Sequence, residues 1–413
     1  MPGQDQVSLA TVLREWGRIG CIGFGGPPAH IALLRQLCVD RRQWLDAQEF
    51  EDAIGACNLL PGPASTELAI FCAWRVRGRL GALAGGLAFI VPGLICILAL
   101  SALFLAGSPP LWMQGAGAGA GAAVAAIAVQ AGWSLAVPSW TRARPNGPGR
   151  RFRWVAYLLA GAAAAATIGP WLVLVLLGCG ATELAIGPGR GGATSDGAAS
   201  DGAASEGGAV GKTGKARGIA ALPALAHAAA AVAGGGVLVS VAWVAFKVGA
   251  LSFGGGFVII PLMQADAVSH YHWMTGAQFL NAVALGQITP GPVVQTVAVV
   301  GYAAAGLIGG ILASVVAFTP SFVFVLAGGR RFDRVRGDRR ARAFLDGSGP
   351  AAIGAILGSA ISLTRALTHP WQYAVLAAAL ILLLPLRRGV VPTLLAAAAT
   401  GVTIALAAGT ISP

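Results

Sequence analysis

The feature that most restricts this fold is a repeat of helix-breaking residues inside apolar sequence. Phe24-Gly25-Gly26 recurs as Phe253-Gly254-Gly255, and Pro61-Gly62-Pro63 recurs as Pro290-Gly291-Pro292, both at one offset of 229 residues. The same offset places Trp44 on Trp273, Phe50 on Phe279 and Arg18 on Lys247. It is expected to continue past the prolines, pairing Gly81 with Gly310 and Phe89 with Phe318. Such a register is an internal duplication rather than shared low complexity. Proline removes a backbone donor and clashes with the preceding turn, and glycine favours no helix, so each motif interrupts a helix.

Composition says where those helices lie. Of 413 residues, 56% are hydrophobic and 11% charged, whereas soluble domains carry about 25% charged residues. One aqueous core cannot hide that much apolar surface, and an all-α polytopic membrane protein is expected. Windows near 80–105, 112–137, 371–385 and 390–408 are the clearest spans, since crossing takes roughly 20 apolar residues. The first eight residues carry no cationic stretch, so no cleaved leader is expected. The net charge of +12 would suggest nucleic acid in a soluble protein. Here the arginines gather in short loops between apolar runs, the pattern of cytoplasmic loops, and no nucleic-acid partner is expected. The six cysteines show no paired spacing and read as packing residues, with no metal or cofactor.

Residues 187–218 break the apolar pattern. They are rich in Gly, Ala and Ser and read as a flexible cytoplasmic linker. Gly211-Lys212-Thr213 within it is not a phosphate loop, because the required earlier glycine is Glu206. The first repeat is then 1–186 and the second 237–413, with 219–236 supplying an extra linking helix. About 10–13 membrane segments are expected.

Loop charge sets the orientation of the halves. Arg75, Arg77 and Arg79 follow the first PGP motif, whereas 302–306 after the second has no charge. Arg35, Arg41 and Arg42 precede the first motif, whereas 264–280 has neither Lys nor Arg. Equivalent loops of opposite charge imply opposite orientation, hence inverted repeats, with the N-terminus and central linker cytoplasmic.

Each half contains two broken stretches, near 10–34 and 50–74 in the first. Their arms of about 10–14 residues reach roughly 15–20 Å, too short for a core of about 30 Å, so re-entrant hairpins are expected. Irregular backbone at membrane depth must line protein or water. Helix N-termini there offer free N–H donors and a positive dipole end, which suits an anion. Gly and Pro are common in membrane helices and one break means little, but four in register mark a transport site. Candidate binding residues in the first half are Arg18, Phe24, Gly25, Gly26, His30, Asn58, Pro61, Gly62, Pro63, Ser65 and Thr66. The second half offers Lys247, Ser252, Phe253, Gly254, Gly255, Gly256, Gln287, Thr289, Pro290, Gly291, Pro292, Gln295 and Thr296. Glu67, an acid on a PGP arm, is a candidate to pair with Arg18 or Lys247 or to carry a proton. Bases, amides and hydroxyls with few acids favour a small oxyanion over a cation. No nucleophile–base pair or metal cluster points to an enzyme.

"FGGPPAH" (24–30), "DRRQWLDAQEFEDAIGACNLLPGPAS" (40–65), "ALSFGGGFVIIPLM" (250–263) and "FLNAVALGQITPGPV" (279–293) together resemble the chromate ion transporter (CHR) family, in its long two-half form. The resemblance covers both halves. It implies a secondary transporter that exports chromate across the bacterial inner membrane and confers chromate resistance, with sulfate as the close analogue and alternative substrate. The lipid bilayer is the expected surrounding, and a homodimer stays open.

Overall fold

A computed structural model describes residues 7–57, 62–105, 109–144, 147–167, 172–186, 236–252, 259–328 and 339–408. The linker 187–218 and all but the last residue of the expected extra helix at 219–236 lie outside them. So do Asn58, Pro61, Phe253, Gly254, Gly255 and Gly256. The described residues are helical, with no strand among them. The first half runs α1 (Leu9–Ile22), α2 (Pro27–Arg35), α3 (Ala47–Cys57), α4 (Ala64–Phe104), α5 (Leu111–Ala143), α6 (Pro148–Thr167) and α7 (Leu172–Ile186). The second runs α8 (Val237–Ala250), α9 (Ile259–Gln264), α10 (Gly276–Ile288), α11 (Thr296–Gly328), α12 (Arg339–Arg365), α13 (Pro370–Leu383) and α14 (Val390–Ala408).

The duplication is written in backbone detail. α2 ends in a π turn at Gln36–Arg41 and α9 in one at Ala265–His270, the same 229 apart. Gln43 and His272 then take left-handed φ values of 51° and 53°, a conformation that few non-glycine residues adopt. Trp44 N–H donates to Cys38 O at 2.8 Å, and Trp273 N–H to Ala267 O at 2.9 Å. His272 is thus explained by a turn shared with its twin.

α4 is two arms rather than one rod. Arg77 and Gly78 leave helical geometry, and a Cβ on Gly81 would strike the Ala73 carbonyl. Residues eight apart in a straight helix stand about 12 Å apart, so the chain reverses at Gly78. The arms are 64–76 and 79–104. In α11 the reversal falls at Ala305–Gly306, where Gly301 and Gly309 meet backbone to backbone. An ion pair between Glu49 and Arg75 joins the start of α3 to the end of the short arm. The PGP motif is therefore the tip of a hairpin that enters and leaves at one end, as expected for a re-entrant segment. The FGG motif tips a second hairpin: Arg42, beyond α2, bonds Glu15 on α1 at 2.6 Å, and Trp44 stacks on Trp16.

The hinges correct the repeat register. Gly78 and Gly306 are 228 apart, one fewer than the PGP motifs. Ala73 lies against Gly81 as Gly301 lies against Gly309, and Phe89 backs Gly20 as Ala317 backs Gly249. The partner of Gly81 is Gly309, not Gly310, and that of Phe89 is Ala317, not Phe318. The second half lacks one residue between Pro292 and its hinge. Its arm opens with a 3₁₀ turn, Val293–Gln295. Three residues at about 2.0 Å rather than 1.5 Å each regain roughly 1.5 Å, the rise of the missing residue.

The halves interlock. The long arms of α4 and α11 pack on each other, and α5 packs on α12. α5 also takes up α13 and α14 of the second half, while α12 takes up α6 and α7 of the first. Glycines let these backbones touch: Gly115 and Gly119 meet Gly401, and Gly354 meets the Leu158 carbonyl, the close packing that membrane helices use. Five described segments are long and apolar enough to cross a bilayer. The long arms show matching outward stripes, Leu80, Leu83, Leu87 and Ile95 beside Ile308, Ile311, Val315 and Val323. Repeated apolar stripes of this kind face lipid in a polytopic membrane protein.

Candidate functional site

The tips of the hairpins meet at the centre, and His30 holds the junction. It is fully buried. Its Nε2 lies 2.9 Å from Gly23 O and its Nδ1 3.3 Å from Ser65 Oγ. A carbonyl only accepts, so Nε2 carries the proton and the Ser65 hydroxyl donates to Nδ1. The ring also meets Phe89 edge-on. One side chain therefore ties the FGG tip to the PGP arm of its own half. Gly23 O accepts a second bond, from Gly291 N–H at 3.0 Å. That bond joins the FGG tip of the first half to the PGP tip of the second.

Each PGP tip is backed by the long arm of the opposite half. Gly93 on α4 packs against the Pro290 carbonyl, and Gln295 Nε2 donates to Ile90 O at 2.9 Å. Gly62 packs beside Ser321 on α11. The prolines at each tip end one helix, and the next restarts without a side-chain cap. In α4, the Thr66 and Glu67 amides return to Pro63 O. The amides of Ala64 and Ser65 lie in the unpaired first turn of the helix.

Several buried polar atoms around the tips have no partner among the described residues: Thr66 Oγ1, both Glu67 carboxyl oxygens, Ser252 Oγ, Gln287 Nε2 and Ser321 Oγ. Buried polar groups are nearly always bonded, so this concentration marks a place built for something else to bind. The Glu67 carboxyl lies over the Gly62 backbone, where any added Cβ would collide with it and approach Ser321 Oγ within 3.2 Å. Gly62 is required by its neighbours. Gly291 is required by its own backbone, with φ of 97° and open space around it.

Other expected site residues lie elsewhere. Arg18 is exposed on α1 and is not gathered at the tips. Lys247 is bound at 2.6 Å to Asp266, itself 3% exposed, so neither base pairs with Glu67. Gly25 and Gly26 take φ of 95° and 76°, which suits a glycine turn. Phe24 points outward, 45% exposed. The α2 N-terminus offers an anion little, because Pro27 and Pro28 have no N–H and the next two amides bond Gly26 O. Thr289 and Thr296 spend their hydroxyls on Leu285 O and Val293 O. Ser321 and Asp266 escape a search for motifs, because only the fold brings them to these partners. Pro63 and Pro292, buried at the tips, complete the two turns. Among the described residues no three metal-ligating side chains gather.

Fold and site together define a multi-pass membrane protein of two interlocked repeats whose helix breaks converge on a buried polar centre. A family model described as chromate transporter matches residues 10–184 and 239–403, and the chain belongs to that family, a family of transporters rather than enzymes. A chromate transport protein of Cupriavidus metallidurans is 30% identical over 361 residues, 87% of this chain and 83% of that one. Another from Pseudomonas aeruginosa is 30% identical over 360 residues, covering 87% and 82%. A probable chromate transport protein of Synechococcus elongatus is 28% identical over 88% of this chain and 86% of its own length. No solved structure matches.

Proposed function

We propose that the protein is a secondary transporter that exports chromate from the cytoplasm across the bacterial inner membrane and so confers chromate resistance. The observation that carries this reading is the set of unpartnered buried polar atoms where the tips of opposite repeats meet. Hydroxyls of Thr66, Ser252 and Ser321, the Gln287 amide and the first amides of α4 are donors that can surround a tetrahedral oxyanion. Gly62 and Pro63 on one side, and Pro290, Gly291 and Pro292 on the other, hold the backbone open for it. The opposed loop charges of the two halves support inversion, which lets one repeat rock against the other around a fixed site.

Glu67 has a distinct task in this scheme. A carboxylate and a dianion cannot share a buried centre without strong repulsion, so Glu67 holds a proton while the oxyanion is bound and couples its movement to protons. Moving a dianion out of a negative-inside cell releases about 4.6 kcal/mol at 100 mV, twice the single-charge value. Outward flux is therefore downhill on potential alone.

Flux of labelled chromate and labelled sulfate into proteoliposomes, under imposed potential or pH gradients, tests the reading. Chromate flux driven by potential is expected, and sulfate carried in preference would make chromate its mimic. Indifference to both anions overturns the proposal. Glu67→Gln is expected to keep flux while removing its response to a pH gradient; an unchanged response refutes the coupling role. Cysteine labelling at 76–79 and 302–306 from opposite membrane faces checks the inversion.

A further inference from the structure

A cavity of about 580 Å³ lies away from the breaks, among the ends of α5, α6, α7 and α12. Its lining holds four arginines, Arg142, Arg150, Arg153 and Arg342, against two acids, Glu183 and Asp346. Arg153 grips Glu183 with two bonds of 2.9 and 3.0 Å, and Arg150 meets Asp346 at 2.6 Å. The lining as a whole therefore carries a surplus of two positive charges. Both halves build it, since Arg342 and Asp346 belong to the second and the rest to the first.

The shape of the cavity gives that charge a direction. Along α12 its lining runs from Arg342 to Ile356, a rise of about 21 Å. The arginine-bearing end coincides with the basic loops of the sequence, the cytoplasmic side by the charge rule. The lining also includes Gly55 of α3, two residues before that helix ends at Cys57 and the chain enters the PGP tip. The cavity thus connects a basic mouth to the arm that carries a break.

We infer that this cavity is a cytoplasmic vestibule with its own binding site for a tetrahedral dianion, which its arginines capture before the anion reaches the breaks. The inference rests on the transport reading above. Arginine presents a planar fork that fits an oxyanion with two bonds, and it keeps its charge at any working pH. A surplus of two positive charges matches a dianion and raises its local concentration. Glu183 and Asp346 keep two arginines in place and limit affinity, so that the anion leaves inward rather than staying. The Arg153–Glu183 pair is braced further by Tyr157 OH, 3.0 Å from Glu183.

The test uses inside-out vesicles supplied with chromate on the side of the basic mouth. Arg142→Gln with Arg342→Gln removes the surplus charge without stripping either acid of its arginine. KM is expected to rise about tenfold, the lower range of electrostatic capture, with a smaller change in maximal flux. Lys at both positions should restore most of the loss. Asp346→Asn should lower KM, a gain that misfolding cannot produce. Unchanged KM in both charge variants overturns the vestibule. If the wild type moves neither chromate nor sulfate, the transport reading has failed instead. Equilibrium dialysis of chromate against the purified protein then decides the binding site, and affinity equal in wild type and double variant rejects it.

Discussion

The two PGP arms share a fold but differ in chemistry. Counted back from the hinges, Glu67 and Gln295 are equivalent, each eleven residues before Gly78 or Gly306. Gln295 is fully engaged: its amide donates to Ile90 O, and its Oε1 accepts from Ser314 at 3.0 Å. Glu67 has no partner for either oxygen among the described residues. Part of the cause is one position on the long arm. Eight residues past each hinge stand Ser314 and Gly86. Gly86 has no hydroxyl to offer, and its space is taken by Phe322 and Ile70. One arm is locked to its support, and the other keeps a titratable group in reserve. An inverted duplication thus supplies a symmetric frame in which one half anchors and the other works.

The largest test strikes both tips. Gly62→Val forces a side chain into the Glu67 carboxyl, and overpacking costs about 1–3 kcal/mol. That is roughly a 10- to 100-fold loss of chromate flux at about 1.4 kcal/mol per decade. Gly291→Val should lose flux by another route, its backbone, and both proteins should still insert. Normal flux in either variant removes that tip from the mechanism.

The next test separates the arms by sign. Gln295→Met deletes two buried bonds and should lower stability by about 1–3 kcal/mol in detergent melting. Glu67→Met has the same shape change but removes atoms that have no partner, so stability should hold or rise. Equal losses would dissolve the contrast between anchor and reserve. At the hinges, Gly78→Val and Gly306→Val should each cost about 1–2 kcal/mol, because a β-branched residue resists positive φ. Unequal costs would question the corrected register. The smallest effect belongs to Ser314→Ala, about 1 kcal/mol for one bond, with no change in the pH response of flux.

Much of this was legible in the residues. Phe24-Gly25-Gly26, Pro61-Gly62-Pro63 and their copies located the hairpin tips, because glycine and proline act on the backbone wherever they stand. The arginine loops and apolar windows announced a membrane protein for a similar reason: transfer free energies belong to side chains and barely depend on fold. Glu67 stood out as an acid within an apolar arm. Arg18 and Lys247 misled, since spacing along a helix does not say which face turns inward. Lys247 found Asp266 19 residues away, and Arg18 turned outward.

Sequence by itself determined the duplication, the breaks and the membrane setting, all of which are local or additive properties. Only the tertiary structure decided that the FGG tip of one half bonds the PGP tip of the other, through Gly23 and Gly291. It also decided the one-residue slip at the hinges and the arginine-lined cavity between α5, α6, α7 and α12. These depend on which helices interlock, and close packing between distant segments is a property of the whole chain that no single stretch encodes.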